Sequence, residues 1–328
     1  MGDGRIKLTL AILGIIVILI APHLFYPLFL VKVICFALFA CAFKLAMGTA
    51  GLLSFGHAAF FGGAAYVAAH VAKVWGFPFE LAVLAGAASG ALLGLAFGVI
   101  SIRRHGIYFA MITLALAQLV YFVALQAPFT HSEDGIQGVP RGYLFGLVDL
   151  SGTYAMYYTS AGIFLIGFLI IARIIHSPFG KILDAIREDP ARALSLGYDI
   201  DRFRLLAFVL SAAMSGLAGA TKTIAFQFAS LTDVHWATSG DVILMALLGG
   251  IGTTFGPVVG AIVIVSLDEF LADSGLPIQP IIGTIFVLCI LLFRNGVVGT
   301  LERWLKHSAP KQARASPPDV VRSAIPLP

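Results

Sequence analysis

"GTAGLLSFGHAAFFGGAAYVAAH", residues 48–70, decides the reading of this chain, because it sits where a membrane-spanning helix should run and yet holds five glycines, Ser54 and His57. A glycine inside a helix costs about 1 kcal/mol relative to alanine, so this density predicts a segment that breaks rather than a continuous helix. Broken helices within a membrane survive only where protein shields them or where they line a cavity.

The surroundings of the stretch show that a membrane is the right solvent. Of 328 residues, 59% are hydrophobic and 12% charged, and the mean hydropathy is +0.96, well outside the range of soluble domains. Apolar runs of about 20 residues, each able to cross a hydrocarbon core about 30 Å thick, recur to near Arg294. The fold class expected is an all-α polytopic membrane bundle of about 8 to 10 helices with broken or re-entrant segments. A β-barrel is excluded, since its strands are shorter and alternate in polarity.

Basic residues collect at Arg5 and Lys7, at Arg103 and Arg104, from Lys181 to Arg204, and from Arg294 to Arg314. Dispersed in this way they read as cytoplasmic topology signals and not as a nucleic-acid surface. Crossings are expected at 6–26, 28–47, 57–74, 79–102, 106–127, 153–175, 204–228, 238–250, 255–272 and 278–293, with both termini cytoplasmic. The run at 238–250 is short for a full span. No small-x-small cleavage site follows "LIAPHLFYP" (19–27), so the first run is read as a retained helix. The membrane domain extends over 1–303, and the polar, proline-rich 304–328 is expected to be a disordered cytoplasmic tail. Cys35, Cys41 and Cys289 lie in apolar runs and read as buried small hydrophobes.

A second interrupted run, "LLGGIGTTFGPVVGAIV" (247–263), contains Ser54-like Thr254, then Phe255 and Gly256, echoing Ser54, Phe55 and Gly56. Interruptions in both halves are what an internally repeated transporter would show, and close helix packing accounts for the same glycines. Ser54, Gly56, His57, Thr254 and Gly256, with Thr113 and Gln118 from the run at 106–127, are the candidate lining of a solute path. His57 has no carboxylate or second histidine at ligand spacing, so no metal site is expected. Lys32 and Lys44 fall near span ends where they can snorkel, Asp268 and Glu269 near the outer boundary, and the depth of Asp241 stays open.

The cytoplasmic stretch 177–203 predicts two short helices. Ser177-Pro178 and Asp189-Pro190 each have N-cap and first-position chemistry. Gly197 supplies the left-handed residue that closes the second helix.

"GTAGLLSFGHAAFFGGAAYVAA" (48–69), "GIYFAMITLALAQLV" (106–120), "SPFGKILDAIREDPARALSLGYDIDRFRLLAFVLSAAMSGLAGA" (177–220) and "LLGGIGTTFGPVVGA" (247–261) resemble, in this order, the branched-chain amino acid ABC transporter permeases. The likeness runs from about Leu45 to Val298. It implies a bacterial inner-membrane importer built from two permease subunits, two cytoplasmic ATPase subunits and an extracytoplasmic solute-binding protein. It implies too that Glu188 to Gly197 form the coupling helix that rests on the ATPase, with Ala185, Arg187, Glu188, Asp189, Ala193 and Gly197 as the coupling set. Pro190 departs from the family pattern within that helix. The outer loop resembles the family's Gly-Ser-Asp-Gly turn at Ser132, Asp134 and Gly135, with departures at His131 and Glu133, and a plain turn explains it equally.

The chain lacks G-x-x-x-x-G-K-[ST], so ATP and Mg belong on partner subunits and no cofactor is expected here. A permease for amides, urea-like or other small solutes remains the alternative. An ion-coupled carrier fits less well, for want of membrane-embedded carboxylates. An enzyme would require a nucleophile and an oriented base, and Ser54 with His57 lacks the acid.

Overall fold

The computed structural model describes residues 19–272 and scattered positions from 280 to 300. Residues 6–18 of the run expected at 6–26, most of the run expected at 278–293, Cys289 and the tail at 304–328 lie outside the described residues. Among the described residues the fold is helical, apart from two two-stranded ribbons.

In chain order the helices are α1 (Pro27–Lys44), α2 (His57–Lys73), α3 (Phe79–Ser101), α4 (Ile107–Gln126), α5 (Thr153–Ile175), α6 (Pro178–Glu188), α7 (Pro190–Ser195), α8 (Ile200–Phe226), α9 (Trp236–Gly249) and α10 (Gly256–Ala272). A π-helical turn, Leu45–Thr49, extends α1. Five of these are long and apolar enough to cross a membrane: α1 with its π turn, α3, α4, α5 and α8. The 14 residues of α9 span only about 21 Å at 1.5 Å per residue, short for a full crossing, and the 17 of α2 reach about 26 Å, the lower limit of one. The runs expected at 57–74, 238–250 and 255–272 are helices over nearly those residues, and the first and third are entered from irregular backbone at 50–56 and 250–255.

Helix α8 is the axis of the bundle, and α3 lies against it through glycine. Gly86, Gly90, Gly94 and Gly98 recur every fourth residue, which places them on one face of α3. A Cβ built on Gly90 would fall 2.7 Å from the Ala212 carbonyl oxygen and 3.0 Å from the Gly216 Cα. Lipid provides no hydrophobic drive for two helices to associate, so contact through small residues supplies the attraction. Helices α1 and α2 complete the interior, with Phe39, Phe43, Phe60 and Phe61 fully buried and Phe39 stacked on Phe61 at 4.6 Å.

The loop between α4 and α5 is tied down at several points. Strand β1 (Ile136–Gln137) pairs antiparallel with β4 (Phe228–Ala229), just beyond the end of α8. Strands β2 (Tyr143–Leu144) and β3 (Val148–Asp149) make a hairpin between them in sequence. Arg141 donates from Nη2 to the Ala225 carbonyl at 2.8 Å and from Nη1 to the Ser151 carbonyl at 3.0 Å, so it caps the C-terminal end of α8. Ser132–Asp134 form an exposed 3-10 turn, while Gly135 is buried against the Ala229 backbone.

Candidate translocation path and coupling segment

Helix α1 does not end at a surface. It winds into the π turn and then into irregular backbone at 50–56 before α2 begins at His57. Amide groups freed by such a break need partners, and hydroxyls from other helices provide them. The Phe55 N–H donates to Thr113 Oγ1 of α4 at 3.2 Å, and the Ala58 N–H to Ser239 Oγ of α9 at 2.9 Å. Ser54 Oγ accepts from the Gly56 N–H at 3.0 Å.

His57 is fully buried. Ser211 Oγ donates to the Ala42 carbonyl at 2.5 Å, which uses its only proton. The 2.9 Å contact to His57 Nε2 must then be donated by the imidazole, which fixes the Nε2–H tautomer. Phe43, Phe60 and Phe208 surround the ring edge-on at 4.9, 5.5 and 5.8 Å. His57 thus joins α1, α2 and α8, the hydrogen-bonding and packing role among those open to it from sequence.

The second interruption, 250–255, joins α9 to α10, and like the first it opens the helix that follows it. Gly249 and Gly260 lie at the crossing of α9 and α10, where a Cβ on either would run into the backbone of the other helix. Thr254 is half-buried and Gly256 buried. The two interruptions meet: Lys44 Nζ donates to the Thr253 carbonyl at 2.6 Å. Lys44 is 5% exposed, so it turns into the bundle instead of snorkelling. The structure thus brings Ser54, Gly56, His57 and Thr113 together and joins the Thr254–Gly256 segment to them through Lys44. Gln118 stands apart, half-exposed on the outer face of α4 beside Ala115, Leu119 and Phe122.

The segment 177–203 forms the two helices expected of it. Ser177 Oγ accepts from the Gly180 N–H, and Asp189 Oδ1 from the Arg192 N–H, as N-caps do. At the end of α7 the Gly197 N–H bonds to the Leu194 carbonyl at 2.9 Å and the Tyr198 N–H to the Ala193 carbonyl at 3.2 Å. With Gly197 at φ +85°, this is a complete Schellman motif. Leu183 and Ile186 bury the inner face of α6, and Ala193 is the buried residue of α7. Ala185, Glu188 and Asp189 are exposed. Arg187 points back to the bundle and donates to the Gly48 carbonyl.

Two features escaped the sequence reading. Leu194 and Leu196 are 64% and 70% exposed on α7 and its cap, an apolar surface beside a cleft lined by His105, Pro190, Tyr198 and Arg204. Lys222 of α8, 16% exposed, forms an ion pair with the buried Asp233, and its ammonium lies 5.8 Å from the ring centres of Phe36 and Phe61. The signal for the pair was a lysine inside the apolar run at 204–228. Lys32, near the start of α1, meets Glu269 at 2.8 Å and Asp268 at 3.3 Å on α10.

Residues 26–294 match the family model described as branched-chain amino acid transport system / permease component. The chain belongs to this family. It is a multi-pass membrane transport subunit of the ABC permease type. It is 28% identical to the high-affinity branched-chain amino acid transport system permease protein LivM of Escherichia coli, over 80% of this chain and 67% of the relative. It is 24% identical to BraD of Pseudomonas aeruginosa, a protein of the same description, over 81% of this chain and 92% of the relative. It is also 28% identical to the autoinducer 2 import system permease protein LsrC of Salmonella choleraesuis, over 56% and 54%. No solved structure matches the chain.

Proposed function

We propose that this permease moves branched-chain or related amino acids across the bacterial inner membrane by alternating access, driven by ATPase subunits that rest on α6 and α7. The observation that carries the reading is the exposed apolar pair Leu194 and Leu196, set on a helix whose caps are complete and whose inner face is buried. A capped helix holding leucines in water is a surface prepared for a partner. ATP and Mg reside on those ATPase subunits, a second permease subunit completes the membrane unit, and an extracytoplasmic binding protein delivers the solute. Both termini face the cytoplasm.

The path itself we place along the open face of α4, close to the two breaks. The half-exposed amide of Gln118 midway along α4 is costly against lipid and is accommodated against a partner subunit or a wet path. His57 holds helices together at the edge of this path and does not touch solute. The relatives named for branched-chain amino acid transport favour that substrate class. The likeness to an autoinducer 2 permease keeps a different small solute as the second reading.

The test is uptake of labelled leucine, isoleucine and valine into proteoliposomes that hold both permeases, the ATPase subunits and the binding protein. Uptake that requires ATP and is competed by these amino acids is expected. Uptake driven by an ion gradient without ATP overturns the proposal.

A further inference from the structure

Three segments distant in sequence converge at one point. Arg187, in the last turn of α6, donates to the Gly48 carbonyl in the π turn beyond α1. Its Cγ would lie 3.1 Å from a Cβ built on Gly51, a residue at φ +70°. Lys44, one turn before Gly48, donates to the Thr253 carbonyl between α9 and α10 at 2.6 Å. A Cβ on Gly48 would sit 3.1 Å from both Lys44 Cγ and Ile251 Cγ2.

The Gly48 carbonyl lies at the end of the π turn and the Thr253 carbonyl in the irregular 250–255 segment, and both are taken by cationic donors. Hydrogen bonds from charged donors are shorter and about twice as strong as neutral ones. Behind the first, α6 is seated by Leu183 and Ile186 and by Phe179 stacked on Phe203 of α8 at 5.6 Å, so its displacement as a unit must reach Gly48. Glycine on both sides leaves no side chain to cushion the contact.

We infer that Arg187 and Lys44 are positioning residues of transport: Arg187 passes movement of the coupling segment to the first break, and Lys44 passes it on to the second. The inference rests on the proposed coupling role of α6 and α7. A merely structural capping role would also place these cations here, but it would act on stability and leave transport per ATP unchanged.

The assembled transporter in proteoliposomes distinguishes the two. Arg187→Met and Lys44→Met should each lower amino acid uptake per ATP hydrolysed by about tenfold, the factor expected for losing a charged hydrogen bond, and Arg187→Lys should recover most of it. Because the residues act in series, the double variant should fall no further than the worse single one. Uptake per ATP unchanged in Arg187→Met, or losses that multiply in the double variant, overturns the relay. Leu194→Asp on α7 separates the two levels: if it leaves ATP-driven uptake intact, the coupling role itself fails. If it abolishes uptake while Arg187→Met and Lys44→Met do not alter it, only the relay fails. Hydrogen exchange on the unmodified complex gives a reading that depends on no variant's folding. Amides at 45–56 and 250–255 should change protection together when a non-hydrolysable ATP analogue is added, and a change confined to 177–203 overturns the relay.

Discussion

At the scale of single residues, this bundle depends on polar side chains that each serve a distant backbone or side chain. Ser211 both accepts from His57 and donates to the Ala42 carbonyl, so Ser211→Ala strands a buried imidazole N–H. A cost of about 1 to 3 kcal/mol is expected, measured as a lower unfolding midpoint in detergent. An unchanged midpoint would show that another partner takes over. The Lys222–Asp233 pair makes a sharper case: Asp233→Ala leaves a part-buried ammonium without its carboxylate and should cost about 1 to 3 kcal/mol, whereas Lys222→Met with Asp233→Leu should recover most of it. The same measurement applies, and equal losses in the single and double variants would count against a desolvation origin. These links were hidden in the sequence because their partners lie 11 to 169 positions apart. The caps at Ser177, Asp189 and Gly197 were readable because their chemistry is confined to a few neighbouring residues. Lys44 was misjudged for a related reason: closeness to a span end says nothing about which carbonyl waits inside.

At the scale of elements, periodicity located the helices, and length set against membrane thickness separates those long enough to cross. The segments around 57–74 and 238–250 stood out through glycine density and shortness, and they proved to be helices of 17 and 14 residues joined to irregular backbone. The glycine ladder of α3 had a signal at every fourth residue, but apolar content alone reads such a helix as lipid-facing. Only the Ala212 and Gly216 backbone at contact reveals its role. Gly90→Leu should force α3 from α8 and destabilise the protein by several kcal/mol, about the range of overpacking or more. The yield of monodisperse protein and its unfolding midpoint would fall together. By contrast, Gly162 of α5 has no atom within 4 Å of a built Cβ, so Gly162→Ala should be neutral or slightly stabilising through helix propensity. A large loss there would show that a partner subunit covers this face.

At the scale of the whole molecule, the charges fall into layers that connect helices distant in sequence. Lys32 with Asp268 and Glu269 ties the start of α1 to the far end of α10, and Lys44 with the Thr253 carbonyl ties the end of α1 to the turn that opens α10. Helix α1 and helix α10 are therefore clamped at two levels, and a displacement of one should carry the other with it. The two clamps differ in exposure: the Asp268 and Glu269 carboxylates are 45% and 54% exposed, whereas Lys44 is buried. Solvent and salt screen the first and leave the second nearly untouched. Replacing Asp268 and Glu269 by Asn and Gln should thus change stability by less than about 1 kcal/mol. Raising the salt concentration should erase even that difference. Measured side by side in unfolding midpoints at low and high salt, a Lys44→Met variant should keep its deficit at both. A deficit that disappears at high salt would place Lys44 in contact with water and dissolve the distinction between the two layers.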